Sequence, residues 1–212
     1  MAYHIFIEGG LGAGKTLTMS ILAHHWRHKV REQGGDIALF SNYGLKDSSN
    51  MFDYKDWYDV ARVQGSICCW DEAQMAFDSR QSLKSTSIYA TQLLMYVRKM
   101  KSIQMYCSPS IQNVDGRIRQ IVEVLVSVSN RGKKGMVLNF FDYQAKQYGA
   151  NGKFLHSQFV PNYKLKQIYK ANLYDTHNMV QGFPLPNTER KASEFFEELE
   201  RIHNESRKVV AL

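Results

Sequence analysis

Eight consecutive residues near the start of the sequence have the types and spacing that phosphate binding requires. They are Gly9, Gly10, Leu11, Gly12, Ala13, Gly14, Lys15 and Thr16, and they match the pattern G-x-x-x-x-G-K-[ST]. Glycines let backbone amides wrap around phosphate oxygens, and a helix starting directly after them adds the positive end of its dipole. We predict a site for ATP and Mg²⁺, with Lys15 on the β- and γ-phosphates, Thr16 on the metal and Leu17 closing the binding segment.

Two adjacent acids follow an apolar run later in the chain. Residues 66–70 read Ser-Ile-Cys-Cys-Trp, and Asp71 and Glu72 come next. Phosphoryl transfer needs positioned groups and charge neutralisation more than covalent help. Asp71 is therefore predicted to hold Mg²⁺ through water, and Glu72 to orient and polarise the attacking water. An Asp-Glu pair alone is a weak signal, but beside the glycine run it indicates a Walker B site.

A polar side chain that senses the γ-phosphate is expected at the end of the strand that follows. Ser108 occupies that position, and Gln112 lies slightly later in the same loop. The alternative is that Ser108 only starts the turn formed with Pro109. The sequence does not separate the two interpretations.

The periodicity of apolar residues predicts the elements that must hold these groups. Strands are expected at residues 3–8, 37–41, 67–70, 103–107 and 122–128, with helices at 16–31 and 87–100. Strands separated by helices imply a mainly parallel sheet with helices on both faces. The predicted fold class is α/β, a P-loop NTPase with a mainly parallel sheet flanked by helices.

The pattern changes after residue 131. Residues 137–143 and 154–160 are β-rich runs joined by a turn that contains Gly149 and Gly152, which predicts an antiparallel hairpin. Residues 188–208 carry apolar positions at helical spacing among glutamates, which predicts a terminal amphipathic helix. We therefore expect an ATPase core at 1–131 and, at 132–212, an appendage of hairpin and helix packed on the same domain, with the hairpin outside the nucleotide core.

Charge and composition restrict the function further. The formal net charge is +7, which suggests a polyanionic partner, although excess lysine also serves solubility. Residues 131–170 hold eight basic residues against Asp142 alone, with aromatic residues among them. This basic segment is either a solvated hairpin or a surface that grips DNA phosphates without reading sequence. Its basic residues are Arg131, Lys133, Lys134, Lys146, Lys153, Lys164, Lys166 and Lys170.

Two further features concern membranes and cysteine chemistry. No apolar run approaches the roughly 20 residues that a membrane span requires. The three cysteines, Cys68, Cys69 and Cys107, lie in apolar stretches without a CxxC pair, so we expect buried thiols rather than a metal or disulfide site.

The order and spacing of several motifs resemble the zonula occludens toxin (Zot) family, which includes assembly ATPases of filamentous phages and belongs to the FtsK-HerA class of DNA-pumping motors. The resemblance covers about residues 3–180, and its later elements are the more specific ones. The matching residues are Leu11–Leu17, Trp70–Glu72, Phe77–Arg80, Val97–Lys99, Val114–Arg119 and Tyr174–Thr176.

The filamentous-phage members continue into a membrane span that this sequence lacks. A compact chain of this kind is more similar to the genome-packaging ATPases of tailless, membrane-containing phages of the tectivirus type. The resemblance implies a homo-oligomeric ring, six-membered in its expected form, that moves double-stranded DNA independently of sequence. It also implies capsid or membrane-vertex proteins as partners, and the cytoplasm of an infected bacterium or a packaging vertex as the location.

The same resemblance implies an arginine that reaches the γ-phosphate of a neighbouring subunit from the segment before the fourth strand. Arg98 occupies that position, with Arg119 and Arg131 as the other candidates. The alternative for Arg98 is a solvated arginine on the helix surface.

Two other functions remain open at this stage. The first is a Zot-like ATPase for virion assembly and export, docked at a membrane through another protein. The second is a nucleoside kinase, because Asp71-Glu72-Ala73-Gln74 resembles the acidic motif of thymidine kinases. Those kinases carry a four-cysteine zinc site, however, and this sequence has three cysteines without zinc spacing.

Overall fold

The computed structural model describes residues 3–75, 85–175, 180 and 182–208. Its strands are β1 His4–Glu8, β2 Ala38–Ser41, β3 Ser49–Asn50, β4 Ser66–Trp70, β5 Ser102–Ser108, β6 Val124–Asn130, β7 Gly135–Asp142 and β8 Lys153–Pro161. Its helices are α1 Lys15–Glu32, α2 Trp57–Arg62, α3 Ser85–Lys99, α4 Gly116–Ile121, α5 Asn162–Lys170 and α6 Glu189–Lys208.

The strands form one sheet in the order β3-β2-β4-β5-β1-β6-β7-β8. The pairs from β3 to β6 are parallel, whereas β7 pairs antiparallel with β6 and β8 antiparallel with β7. Parallel strands bring their carboxyl ends to one edge of the sheet, and in open α/β sheets ligands bind at that edge. We call it the carboxyl edge.

Both faces of the central parallel strands β2, β4, β5 and β1 are buried, which explains why these strands are mainly apolar. Phe6 of β1 belongs to the core on the side of α2, α3, α4 and α6, whereas Ile5 and Ile7 belong to the core beneath α1 and α5. Successive side chains of a strand point to opposite faces, so both sets must be apolar. The three cysteines of β4 and β5 are fully buried, as predicted.

The structure confirms the predicted fold class and locates each predicted strand and helix within a few residues of its expected ends. It adds β3, α2, α4 and α5, which the sequence analysis did not predict. The motif at residues 77–80 and residue 176 of the Tyr174–Thr176 motif lie outside the described residues. No helix in the described ranges is long and apolar enough to cross a membrane.

The expected position of the hairpin was wrong. Strands β7 and β8 do not stand outside the nucleotide core, because β7 continues the central sheet along the whole of β6. Met136 of β7 also packs beside the glycine run: its sulfur lies 2.8 Å from where a Cβ on Gly14 would be, and Thr18 Oγ1 contacts it at 3.7 Å. The boundary at residue 131 stays a prediction.

Candidate nucleotide-binding site

The glycine run forms the loop between β1 and α1, at the carboxyl edge. Gly9 has φ +158° and Gly14 has φ +96°. A Cβ on Gly9 would lie 2.5 Å from the Val128 carbonyl oxygen, and one on Gly14 would meet Met136, so larger residues cannot replace them without movement. The glycines therefore allow the loop both its backbone turn and its close approach to β6 and β7.

Helix α1 begins without the groups that usually complete a helix N-terminus. No side chain caps it, and its first turn contains no acidic residue. The first amides of a helix have no partner within the helix, and the dipole makes this end positive. An anion held by the loop from Gly9 to Thr16 would supply the missing acceptor.

Lys15 and Thr16 stand at the start of this helix. Lys15 is buried, and its Nζ donates a hydrogen bond to the Gly10 carbonyl at 3.2 Å, so its ammonium lies across the loop. Thr16 Oγ1 donates to Asp71 Oδ2 at 2.8 Å, which joins the loop to the end of β4. Ala13 and Leu17 are buried beneath the loop, and Leu11 is fully exposed at its tip. The predicted phosphate and metal groups therefore come together, although Thr16 and Asp71 are 55 residues apart in sequence.

Asp71 is held in place by a residue that the sequence analysis missed. Asn42 directly follows β2, the strand next to β4, and is buried. Its Oδ1 accepts from the Asp71 amide at 2.8 Å and its Nδ2 donates to the Asp71 carbonyl at 3.1 Å. Asn42 thus fixes the backbone of the acid that Thr16 contacts. The sequence feature that could have identified Asn42 is its position at the carboxyl end of a predicted strand, where polar residues surround ligands.

The surroundings of Asp71 disfavour its negative charge. Burial raises the pKa of the Asp71 carboxyl above its ordinary value, and the Glu72 carboxylate acts in the same direction. The Thr16 hydroxyl, the Glu72 amide and Lys15 oppose the shift only in part. A divalent cation at this position would compensate the buried charge, and hydroxyl and carboxylate oxygens are ligands that Mg²⁺ accepts. These groups fit a nucleotide with its magnesium ion.

We expect the Asp71→Asn variant to be more stable than the wild type when no nucleotide or metal is bound. The folded protein binds this proton more tightly than the unfolded chain does, so the wild type loses stability as pH rises from the unfolded pKa through the raised one. Near neutral pH the amide should therefore raise Tm by roughly 2–4 °C, as a change of about 1 kcal/mol does in a domain of this size. Thermal unfolding without Mg²⁺ across a pH series measures this.

The Asp115→Asn variant is a control for which the expected change in stability has the opposite sign. The Arg117 side chain, hydrogen bonded to Asp115, lowers the pKa of that carboxyl. The ionised Asp115 carboxylate contributes to stability at pH values above its pKa in the unfolded chain, and this contribution is lost as pH falls through the lowered pKa of the folded protein. The Asp115 variant should therefore be less stable near neutral pH. A lower Tm for Asp71→Asn would contradict our account of the Asp71 site.

Glu72 has an unusual backbone conformation. Its φ is +51°, in the left-handed region that residues other than glycine seldom adopt. Its amide donates to Asp71 Oδ1 at 3.1 Å, and its carboxylate accepts a hydrogen bond from Gln74 Nε2. Such conformations cluster at functional sites, where the surrounding contacts maintain them. The turn places a carboxylate directly beside Asp71, which suits the predicted water-orienting role.

Ser108 ends β5 next to Glu8 of β1, so it lies at the carboxyl edge as predicted. It is fully buried, and its hydroxyl donates to the Ser110 carbonyl at 3.3 Å. That contact is what the turn alternative would give. The sensor role stays a prediction, as does any role for Gln112, whose Oε1 accepts from the Arg119 guanidinium.

The three candidate arginines lie in different places. Arg98 is in the last turn of α3, and its guanidinium carbon is 6.0 Å from the centre of the Tyr3 ring, at the edge opposite the loop. Arg119 is on α4. Arg131 follows β6, and its neighbour Asn130 donates to the Gly12 carbonyl at 3.4 Å, which places Arg131 beside its own loop. Arg98 therefore lies far from the phosphate site of its own chain.

The fold resembles solved structures at low sequence identity. The N-terminal domain of zonular occludens toxin from Neisseria meningitidis matches with a TM-score of 0.60 and 21% identity, over 82% of this chain and 100% of that one. The genome packaging NTPase of Sulfolobus turreted icosahedral virus 2, in complex with ATP-gammaS, gives a TM-score of 0.47 and 8% identity, over 66% and 91% of the two chains. No protein-family model and no curated protein matches the sequence. The toxin-domain match shows a shared fold of the P-loop NTPase type.

Proposed function

We propose that this protein is a Mg²⁺-dependent ATPase that moves double-stranded DNA, and that it packages a viral genome into a capsid. The contact between Thr16 Oγ1 and Asp71 Oδ2 carries the ATPase part, because it unites the loop that fits phosphates with the acids that would serve hydrolysis. The Zot resemblance of the sequence supports the DNA part. A ring of identical subunits, six in the expected form, would enclose the DNA.

Each site residue has a defined task in this proposal. The loop amides bind the phosphates, and Lys15, whose ammonium already lies across the loop, neutralises their charge. Thr16 directly and Asp71 through water would hold the magnesium ion, which would supply charge neutralisation for the phosphates. Glu72 orients the attacking water through its carboxylate. Asn42 positions Asp71 by fixing its backbone.

The basic segment offers a surface for DNA phosphates. All eight of its basic residues are exposed, and so are five of its aromatic residues, which argues against a hairpin whose aromatics all face the core. The exposed aromatics are Tyr148, Phe154, Phe159, Tyr163 and Tyr169. Contacts between lysine side chains and the phosphate backbone of DNA carry no sequence information, which suits a motor that must move any sequence.

The basic residues of the hairpin lie at two separate ends. Lys133 and Lys134 are in the turn between β6 and β7, next to the phosphate loop. Lys146 lies beyond the far end of β7, a strand of eight residues that spans about 27 Å. Its Nζ donates to the Ala150 carbonyl at 3.1 Å and lies over the Tyr143 ring. Of these three lysines, Lys133 and Lys134 are the ones that could connect DNA contact directly to the nucleotide site.

We therefore expect replacement of Lys133 and Lys134 by alanine to weaken DNA binding and to remove DNA stimulation of the ATPase while leaving the basal rate unchanged. Each lost phosphate contact should flatten the plot of log affinity against log salt by about 0.9 on duplex DNA. Binding of a fixed duplex at several salt concentrations measures the slope. Lys146→Ala is the matched control, and its slope should stay close to that of the wild type. An unaltered slope in the double variant would place the DNA contacts elsewhere.

The cellular role is tested separately. Electron microscopy of the protein with ATP and DNA should show rings around the duplex, and the protein should cofractionate with capsids of its virus. Membrane association in infected cells without capsid association would instead favour virion export. Phosphorylation of thymidine without DNA stimulation would favour the kinase.

A further inference from the structure

One face of the hairpin carries exposed aromatic side chains. Along β7, Leu138 and Phe140 belong to the core beneath α1 and α5, so the residues between them point to the opposite face. On that opposite face the side chains of β7 are only partly buried and those of β8 are exposed. Directly opposite residues of paired strands share a face, so this face continues from β7 to β8. We call it the aromatic face, and its residues are Val137, Asn139 and Phe141 of β7 and Phe154, Ser157 and Phe159 of β8.

A recess lies where the aromatic face meets the turn between β7 and β8. Its volume is about 590 Å³, within the range of small-ligand sites. Phe141 and Phe154 line it, and their rings meet edge to face with centroids 5.7 Å apart. Tyr148 and Lys153 also line it, and the Lys153 Nζ lies 5.5 Å from the centre of the Tyr148 ring. The recess therefore combines aromatic walls with a cation.

The charges around the aromatic face favour a polyanion. Lys153 lines the recess, and Lys133 and Lys134 lie in the turn at the opposite end of β7. Residues 131–170 contain Asp142 as their only acid. A protein surface that covered the rings would have to bring its own acids to this excess of positive charge, whereas nucleic acid carries a phosphate at every nucleotide.

Exposed rings between basic residues suit unpaired bases better than a duplex. The bases of a duplex are stacked on one another, so they present their edges to a protein rather than their flat faces. Proteins that bind single strands combine cations for the backbone with aromatic rings on which the bases stack. Phe154 and Phe159 are each 53% exposed and Tyr148 is 61% exposed, so these rings are available. Phe140 differs, because its ring on the other face is already stacked on His156 at 4.4 Å.

We propose that the aromatic face binds single-stranded DNA, with one unpaired base in the recess lined by Tyr148 and Phe154 and a second base stacked on Phe159. Lys153 contacts a phosphate of the same strand. This inference goes beyond the proposed movement of duplex DNA and does not require ATP. Stacking tolerates any base, so the site has no sequence preference of its own. A duplex end that frays exposes single strands, and such a site would hold them.

The test compares a labelled oligothymidine with a labelled blunt duplex of the same length, by fluorescence anisotropy without ATP. Phe154→Ala should bind the single strand about tenfold more weakly, the loss expected for one stacked base, and should bind the duplex like the wild type. Phe154→Tyr should bind the single strand almost as the wild type does, because the ring is retained. Lys153→Ala should flatten the plot of log affinity against log salt for the single strand by about 0.7.

Phe52→Ala is the matched control, since Phe52 is 52% exposed and lies outside the basic segment. It should bind both ligands like the wild type. The proposal is overturned if the wild type has no measurable affinity for oligothymidine, if Phe154→Ala binds it like the wild type, or if the affinities of Phe154→Ala for single strand and duplex fall equally. It is also overturned if Phe154→Ala changes the oligomeric state in sedimentation without DNA, because the aromatic face is then a contact between subunits. Failure of the ATPase proposal would appear separately, as a wild type that binds oligothymidine but does not hydrolyse ATP.

Discussion

The Glu72→Gln variant should bind ATP with wild-type affinity and hydrolyse it at least about 100-fold more slowly. The amide keeps the size of the side chain and can still accept the hydrogen bond from Gln74. It loses the negative charge that polarises the attacking water. Since Thr16 and Asp71 make their contact without Glu72, the metal and phosphate groups should stay in place.

Two measurements test this expectation. Single-turnover hydrolysis reports the chemical step, and equilibrium titration with ATP reports binding. Lys15→Ala gives the contrasting result, because removal of the ammonium from the loop should weaken binding itself. Unchanged turnover in Glu72→Gln would remove this residue from the mechanism, and loss of ATP binding would assign it a positioning role.

The central part of the site could be predicted from the sequence because its geometry is local. A glycine run between a strand and a helix dictates where its amides, Lys15 and Thr16 lie. An acid at the end of a buried parallel strand must emerge at the same edge of the sheet. The 2.8 Å contact between Thr16 and Asp71 follows from these two rules.

The supporting residues could not be predicted, because their roles depend on contacts between distant segments. Asn42 contacts Asp71 only because β2 and β4 are neighbours in the sheet. Met136 reaches the phosphate loop only because β7 pairs with β6. Periodicity predicts that a strand exists but not which strand it joins, and this is why the hairpin was expected outside the core. The helices α2 and α4 are six residues each, too short for a clear helical period.

Helix α5 was missed for another reason. Its sequence is mainly polar, and its described residues are exposed or only partly buried, so it carries little of the apolar signal that marks a core helix. Ile168 and Leu165 pack against the core beside α1, which fixes the helix through tertiary contact rather than propensity.

The Arg98→Ala variant should hydrolyse ATP about 10³-fold more slowly than the wild type, or slower still, while its affinity for ATP stays unchanged. This follows from the role that the Zot resemblance implies for Arg98. Arg98 contacts Tyr3, which directly precedes β1, whereas the phosphate loop directly follows β1. The five residues of β1 therefore separate Tyr3 from the phosphate loop by about 16 Å. Arg98 could therefore serve a phosphate site only in a neighbouring subunit, and a ring provides such a neighbour.

Mixing two inactive variants tests this arrangement directly. Arg98→Ala subunits retain an intact nucleotide site, and Lys15→Ala subunits retain Arg98. Mixed rings should regain part of the activity, because some interfaces pair one intact site with one intact arginine. Lys99→Ala is the matched control: Lys99 is the next cation in the same turn of α3, it lies over the Tyr96 ring, and its loss should leave hydrolysis nearly unchanged.

If hydrolysis in Arg98→Ala is normal, Arg98 is a surface residue. If the activity is lost and the variants never complement each other, the arginine that acts across the interface is Arg119, Arg131 or another residue, and Arg98 supports the fold or the ring itself.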